Sequence, residues 1–166
     1  HNKKKLDKKI ISGAFKIINH EVLSDIDFYF MYRDFQPRNI LVYENDLYFI
    51  DYQSGRRGPL LYDLASYLYS GSITLTNIKR EELISVYIKE LKKYNIQINN
   101  FEDKWYFFVL IRMIQMLGSY SYSYDERKDI YYKQKIVAGI EKIKQIIDKV
   151  NSDKIKIFLD SLEYYS

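Results

Sequence analysis

Strand-forming sequence in this chain is gathered into one short stretch. Phe28-Tyr29-Phe30-Met31-Tyr32, Ile40-Leu41-Val42-Tyr43 and Leu47-Tyr48-Phe49-Ile50 are its β-prone runs. The last two flank Glu44-Asn45-Asp46, which predicts a hairpin with an Asn-Asp turn. The spacing elsewhere is helical. Leu6, Ile10, Ala14 and Ile17 predict a helix within residues 5–19. A short helix is expected near Tyr62-Asp63-Leu64-Ala65. Leu83, Tyr87, Leu91 and Tyr94 mark one amphipathic face, and Ile136, Ile140, Ile143, Ile147 and Val150 another. Ile155, Phe158, Leu159 and Leu162 mark a last short helix. Trp105 to Tyr120 is apolar nearly all round, as a buried central helix would be. The expected fold is therefore mostly α with a small β-hairpin (α+β). Polar residues crowd the two ends of that hairpin.

Length and composition narrow the function. The chain has 166 residues, 47% of them hydrophobic, which suits one domain or one lobe of a larger one. A formal charge of +4 is too weak to point to nucleic acid, though it allows anionic partners such as nucleotide phosphates. With no cysteine, disulfides, thiolate catalysis and cysteine-zinc sites are excluded. Two histidines make a His-rich metal site or a Ser-His-Asp triad a poor fit. The longest apolar stretch, Trp105 to Leu117, contains Arg112 and Gln115 and falls short of the roughly 20 residues a membrane span needs. No apolar run follows the Lys-rich start, so a secretory leader is not expected. The expectation is a cytoplasmic protein with neither membrane nor nucleic-acid partner. The 18 tyrosines are read mainly as base-composition bias.

Three polar positions carry the chemical signal. Asp34 follows a hydrophobic strand, Asn39 opens the hairpin, and Asp51 closes it. A hairpin brings its ends together, so Asn39 and Asp51 should project side by side with Asp34 facing them. Two oxygen ligands and a neighbouring carboxylate suit a hard cation such as Mg²⁺, which fills its remaining positions with water and substrate phosphates. The implied partner is a nucleotide.

Asp, four residues, Asn, a hairpin and a second Asp resemble the catalytic loop and metal-binding Asp of protein-kinase-like enzymes. Here the letters are Tyr-Arg-Asp-Phe-Gln-Pro-Arg-Asn and then Phe-Ile-Asp-Tyr-Gln. Gln53 stands where protein kinases have glycine, a departure that resembles the aminoglycoside phosphotransferase and choline kinase branch. The stretch from Phe30 through Tyr69 and the later run VLIRMIQMLGSYSYSYDERK look most like bacterial sugar kinases of that branch, including N-acetylmuramate and N-acetylglucosamine kinases. The resemblance covers roughly residues 5 to 150.

The resemblance implies a role for each matching residue. Asp34 would orient the acceptor hydroxyl and take its proton. Asn39 and Asp51 would hold Mg²⁺ against the phosphates of ATP. Gln36 stands where protein kinases place a lysine near the transferred phosphate. Arg38, Arg56 and Arg57, in the two flanking loops, would meet a phosphate or an acidic sugar. Asp63 would brace the catalytic loop from the second shell, and Arg33 would support it structurally. Tyr32 replaces the usual His, which leaves that position's contacts open. Plainer readings stand beside these. Arg56 and Arg57 also read as solvated loop charges, Asp63 as a helix-start residue, and Arg112 and Gln115 as internal hydrogen-bonding groups.

An enzyme of this kind has a second, amino-terminal lobe with a sheet, a phosphate-covering loop and a lysine that pairs with phosphates. None of the six glycines forms a Gly-rich loop, and no strand carries a Val-Ala-Ile-Lys-like run. Residues 1–166 are thus expected to be a single domain, the carboxy-terminal lobe of a kinase-like fold. Its partners would be a nucleotide, a small-molecule acceptor and the missing amino-terminal lobe. The isolated chain should then have little activity and should expose an apolar patch where that lobe would sit. Other acceptors, such as aminoglycosides or choline, and a non-catalytic scaffold are the rival readings.

Overall fold

The structure is a computed structural model that describes residues 27–150 and, outside that span, positions 12, 13, 16, 19, 20, 23 and 153. Positions 12, 13, 16, 19, 20 and 23 are helical. Leu6, Ile10, Ala14 and Ile17 of the first expected helix, and the whole of the last one, lie outside the described residues. The fold is mostly helical, with small antiparallel strand pairs. The chain divides into two compact units, residues 25–101 and residues 1–24 with 102–166. Among the described residues no helix is long and apolar enough to cross a membrane.

The first unit carries the strands. β1 (Tyr29–Met31) comes from the first β-prone run. β2 (Ile40–Tyr43) and β3 (Asp46–Phe49) form the hairpin, in the register Ile40↔Phe49 to Tyr43↔Asp46. The turn consists of Glu44 and Asn45, one residue earlier than the expected Asn-Asp pair, both left-handed with φ of 50° and 66°. That conformation matches the right-handed twist of the strands it joins. A 3-10 turn, Pro37–Asn39, leads into β2, its start favoured by the fixed φ of proline.

One strand escapes the sequence pattern. The segment expected to be a loop around Arg56 and Arg57 forms β4 (Arg56–Gly58), which pairs antiparallel with β1. Gly55, Gly58 and Pro59 made the segment read as breakers. Tertiary pairing decides otherwise, because β1 offers an unpaired edge. Gly58 suits the place: a Cβ there would meet Met31 Sδ at 2.6 Å.

Two helices complete this unit. α1 (Leu60–Leu68) buries Leu61, Leu64, Ala65 and Leu68, the stripe of one helical face. α2 (Asn77–Lys93) starts on Thr76, whose hydroxyl accepts the Lys79 N–H at 3.2 Å. It ends just before Asn95, left-handed with φ of 58°. Arg80 joins the two helices. Its Nε donates to the Leu68 carbonyl at 3.2 Å, and its guanidinium lies 4.8 Å from the Tyr69 ring centre.

The second unit holds α3 (Phe101–Arg127), from Glu102 onward, and α4 (Ile130–Ile147). Trp105, Phe107, Phe108, Val109, Leu110 and Met113 of α3 are buried and cover more than one face, but residues 114–120, expected to be buried too, are half-buried or exposed. Asp129 caps α4 by accepting the Tyr131 N–H at 2.9 Å. Gly139 permits close helix packing, since a Cβ there would meet Leu117 at 2.5 Å.

Candidate active site

The site is assembled at the base of the hairpin by backbone bonds. The Ile50 N–H donates to the Asn39 carbonyl at 3.0 Å, which extends the ladder one step past Ile40↔Phe49. Asn39 therefore lies across from Ile50 and one residue from Asp51. The Asn39 side chain is 5% exposed, and its Nδ2 donates to the Asp34 carbonyl at 2.9 Å. The acceptor is a carbonyl, so the amide nitrogen must face it. The amide oxygen is left without a partner among the described residues. Gln36 is buried as well, and its Nε2 donates to Asp34 Oδ1 at 3.3 Å.

Asp51 is exposed and takes a left-handed φ of 65°. Its Oδ1 accepts from Gln53 Nε2 at 2.6 Å. Gln53 entered the sequence reading only as the residue in place of a glycine. Its position two residues beyond Asp51 was the signal that it could reach that carboxylate. Arg33, beside Asp34, is left-handed too, with φ of 76°. Such a conformation costs a non-glycine residue about 1–2 kcal/mol and persists where the surroundings over-determine it.

Asp63 provides that constraint at Arg33. Its carboxylate accepts the Tyr32 N–H at 2.5 Å and the Arg33 N–H at 2.9 Å. Capping does not explain this aspartate. The N-cap of α1 is Pro59, and Asp63 lies within the first turn. The contacts of Tyr32, open in the sequence, are now defined. Its ring is buried, and its hydroxyl donates to the Ile50 carbonyl. Burial, with the negative charges of Asp51, Asp34 and Asp63, pushes the Tyr32 phenol above its ordinary range.

The remaining positions stand apart from this network. Arg38 is exposed on the 3-10 turn, and Arg56 and Arg57 are exposed on β4, across from Met31 and Phe30. None of the three forms an ion pair among the described residues. The ion pairs seen among the described residues join positions three apart on or beside the helices, and none of them involves Asp34 or Asp51. Among the described residues no group of three or more His, Cys, Asp or Glu could hold a metal ion. The Asn39 amide oxygen and the Asp34 and Asp51 carboxylates are donors of the kind Mg²⁺ takes, and that ion keeps several waters and needs few protein ligands.

Apolar surface surrounds the site. Both faces of the hairpin are exposed, Val42 by 72% on one and Tyr48 by 50% on the other. A cavity of about 680 Å³ is lined by Phe30, Tyr32, Phe49, Tyr52, Asp63 and Tyr87, among others.

Residues 7–94, more than half of the chain and including Asp34, Asn39, Asp51 and Asp63, match the family model of the phosphotransferase enzyme family (APH). No curated protein shows a significant match to the chain. The chain belongs to the phosphotransferase enzyme family.

Proposed function

We propose that this chain carries the acceptor-activating and metal-binding half of an ATP-dependent small-molecule kinase, with a hydroxyl of a sugar or amino sugar as acceptor. The observation that carries the reading is the orientation of Asn39. Its nitrogen is committed to Asp34 and its oxygen has no partner among the described residues, one residue across the ladder from Asp51. A carboxamide held this way presents the atom a hard cation needs.

On this reading Asp34 accepts the proton of the acceptor hydroxyl, and Gln36 fixes the rotation of its carboxylate. Asn39 and Asp51 hold Mg²⁺. The ion, when bound, neutralises charge on the phosphates. Asp63 keeps Tyr32 and Arg33 in place and so keeps Asp34 aimed. Arg38, Arg56 and Arg57 are the cations available to a phosphate or an acidic acceptor. The amino-terminal lobe that supplies the rest of the nucleotide site would cover the exposed apolar hairpin.

The test is ADP release by the native full-length protein with ATP, Mg²⁺ and a panel of sugars, amino sugars, aminoglycosides and choline. Turnover is expected with a sugar or amino sugar and should fall at least about 100-fold in Asp34→Asn. The isolated 166-residue chain should turn over little, because a nucleotide held by one lobe lacks most of its positioning and charge stabilisation. Turnover only with choline or aminoglycosides would overturn the acceptor assignment. Turnover that survives in Asp34→Asn would overturn the mechanism.

A further inference from the structure

We infer that Tyr32 is a positioning residue for Asp51, setting through the Ile50 carbonyl the direction in which that carboxylate faces. The inference rests on the phosphotransfer reading, in which Asp51 holds the metal.

Ile50 is bonded on both of its peptide groups. Its N–H donates to the Asn39 carbonyl at 3.0 Å, and its carbonyl accepts from the Tyr32 hydroxyl. That carbonyl belongs to the peptide unit that ends on the Asp51 nitrogen, so fixing it fixes one side of the Asp51 φ torsion. Asp51 sits at φ 65°, where a non-glycine residue stays only under constraint. If this peptide unit were free to rotate, Asp51 would relax towards ordinary φ and its carboxylate would turn away from its present direction. Tyr32 can impose the constraint because it is itself anchored. Asp63 accepts its N–H at 2.5 Å, and its buried ring meets Phe35 edge-on at 5.8 Å between centres. One residue thus joins the strand end that leads to Asp34 with the strand end that leads to Asp51. Packing alone would be served equally by phenylalanine, so the hydroxyl is the atom the inference concerns.

The probe is Mn²⁺ alone, a hard paramagnetic cation, with binding to the full chain read from water-proton relaxation. Tyr32→Phe keeps the ring and removes one oxygen. It should weaken Mn²⁺ binding by up to about tenfold, the effect of one lost hydrogen bond. Tyr32→His should not restore it, since an imidazole nitrogen lies nearer the backbone than a phenol oxygen. Asp51→Asn is the reference. If Asp51→Asn loses binding while Tyr32→Phe binds as tightly as the parent, the tie is overturned and the metal site stands. If Asp51→Asn binds Mn²⁺ undiminished, the metal reading falls and takes the tie with it. A purely structural Tyr32 would lower the urea midpoint without moving Mn²⁺ affinity.

Discussion

Removing the Asp63 carboxylate should cost far more stability than an ordinary helix-surface substitution. The two backbone N–H groups it holds, at 2.5 and 2.9 Å, belong to consecutive residues, and the second residue is left-handed. Hydrogen bonds to a charged group contribute about 1.5–3 kcal/mol each when buried. Partial solvent access lowers this to about 1–2 kcal/mol each. Asp63→Ala should therefore lose about 2–4 kcal/mol. If Asp63 acted only through the α1 dipole, the loss would be about 0.3–1 kcal/mol. The two accounts do not overlap. Urea unfolding followed by far-UV circular dichroism, with an unchanged m-value, reads the difference directly. In a chain of this length the thermal midpoint should fall by about 5–12 °C. Asp63→Asn keeps one acceptor oxygen and should fall between parent and alanine variant. A loss below about 1 kcal/mol in Asp63→Ala would refute the bracing argument.

Three further outcomes follow from the geometry. Burial, with a smaller contribution from Asp63, pushes the Tyr87 phenol up to about 12. The folded state then holds this proton more tightly than the unfolded chain, so the contribution of Tyr87 to stability is constant below about pH 10 and is lost between about pH 10 and 12, at most about 2.7 kcal/mol and less for its partial exposure. Urea midpoints across that range should show the fall, and Tyr87→Phe should reduce it. Gly58→Ala should cost about 1–2 kcal/mol through its contact with Met31, and adding Met31→Ala should recover part of that loss. Additive losses in the double variant would contradict the contact. Gln53→Ala should weaken Mn²⁺ binding less than Asp51→Asn does, since Gln53 touches the carboxylate without being a ligand; an equal loss in relaxation titrations would make it part of the metal site.

The sequence showed the hairpin because its apolar runs and two-residue turn are local features, formed within ten residues. The helices within residues 60–147 were legible for the same reason. α1 and α2 carry their periodicity in contiguous stretches, and α3 is apolar on several faces. β4 was not legible. Three residues set among glycines and a proline have no strand pattern of their own, and their partner lies 25 or more residues away. The bonds within the site divide along the same line. That Asn39 lies across the ladder from Ile50, the residue before Asp51, follows from hairpin topology alone. The Asp63 carboxylate reaches back about 30 residues to the Tyr32 and Arg33 amides, and spacing cannot reveal such a contact. Nor could spacing show that the Tyr32 hydroxyl ends on the Ile50 carbonyl, because that contact joins residues 18 apart and depends on the reach of one side chain.

Convergence of Asn39 and Asp51 on one cation is the claim that the functional account depends on. Crystals of the chain grown with Mn²⁺ and measured for anomalous scattering test it directly. The account predicts a single strong peak within about 2.0–2.4 Å of both the Asn39 amide oxygen and an Asp51 carboxylate oxygen, with waters at its other positions. A peak held by Asp51 without Asn39, or by a different set of acidic residues, would contradict it.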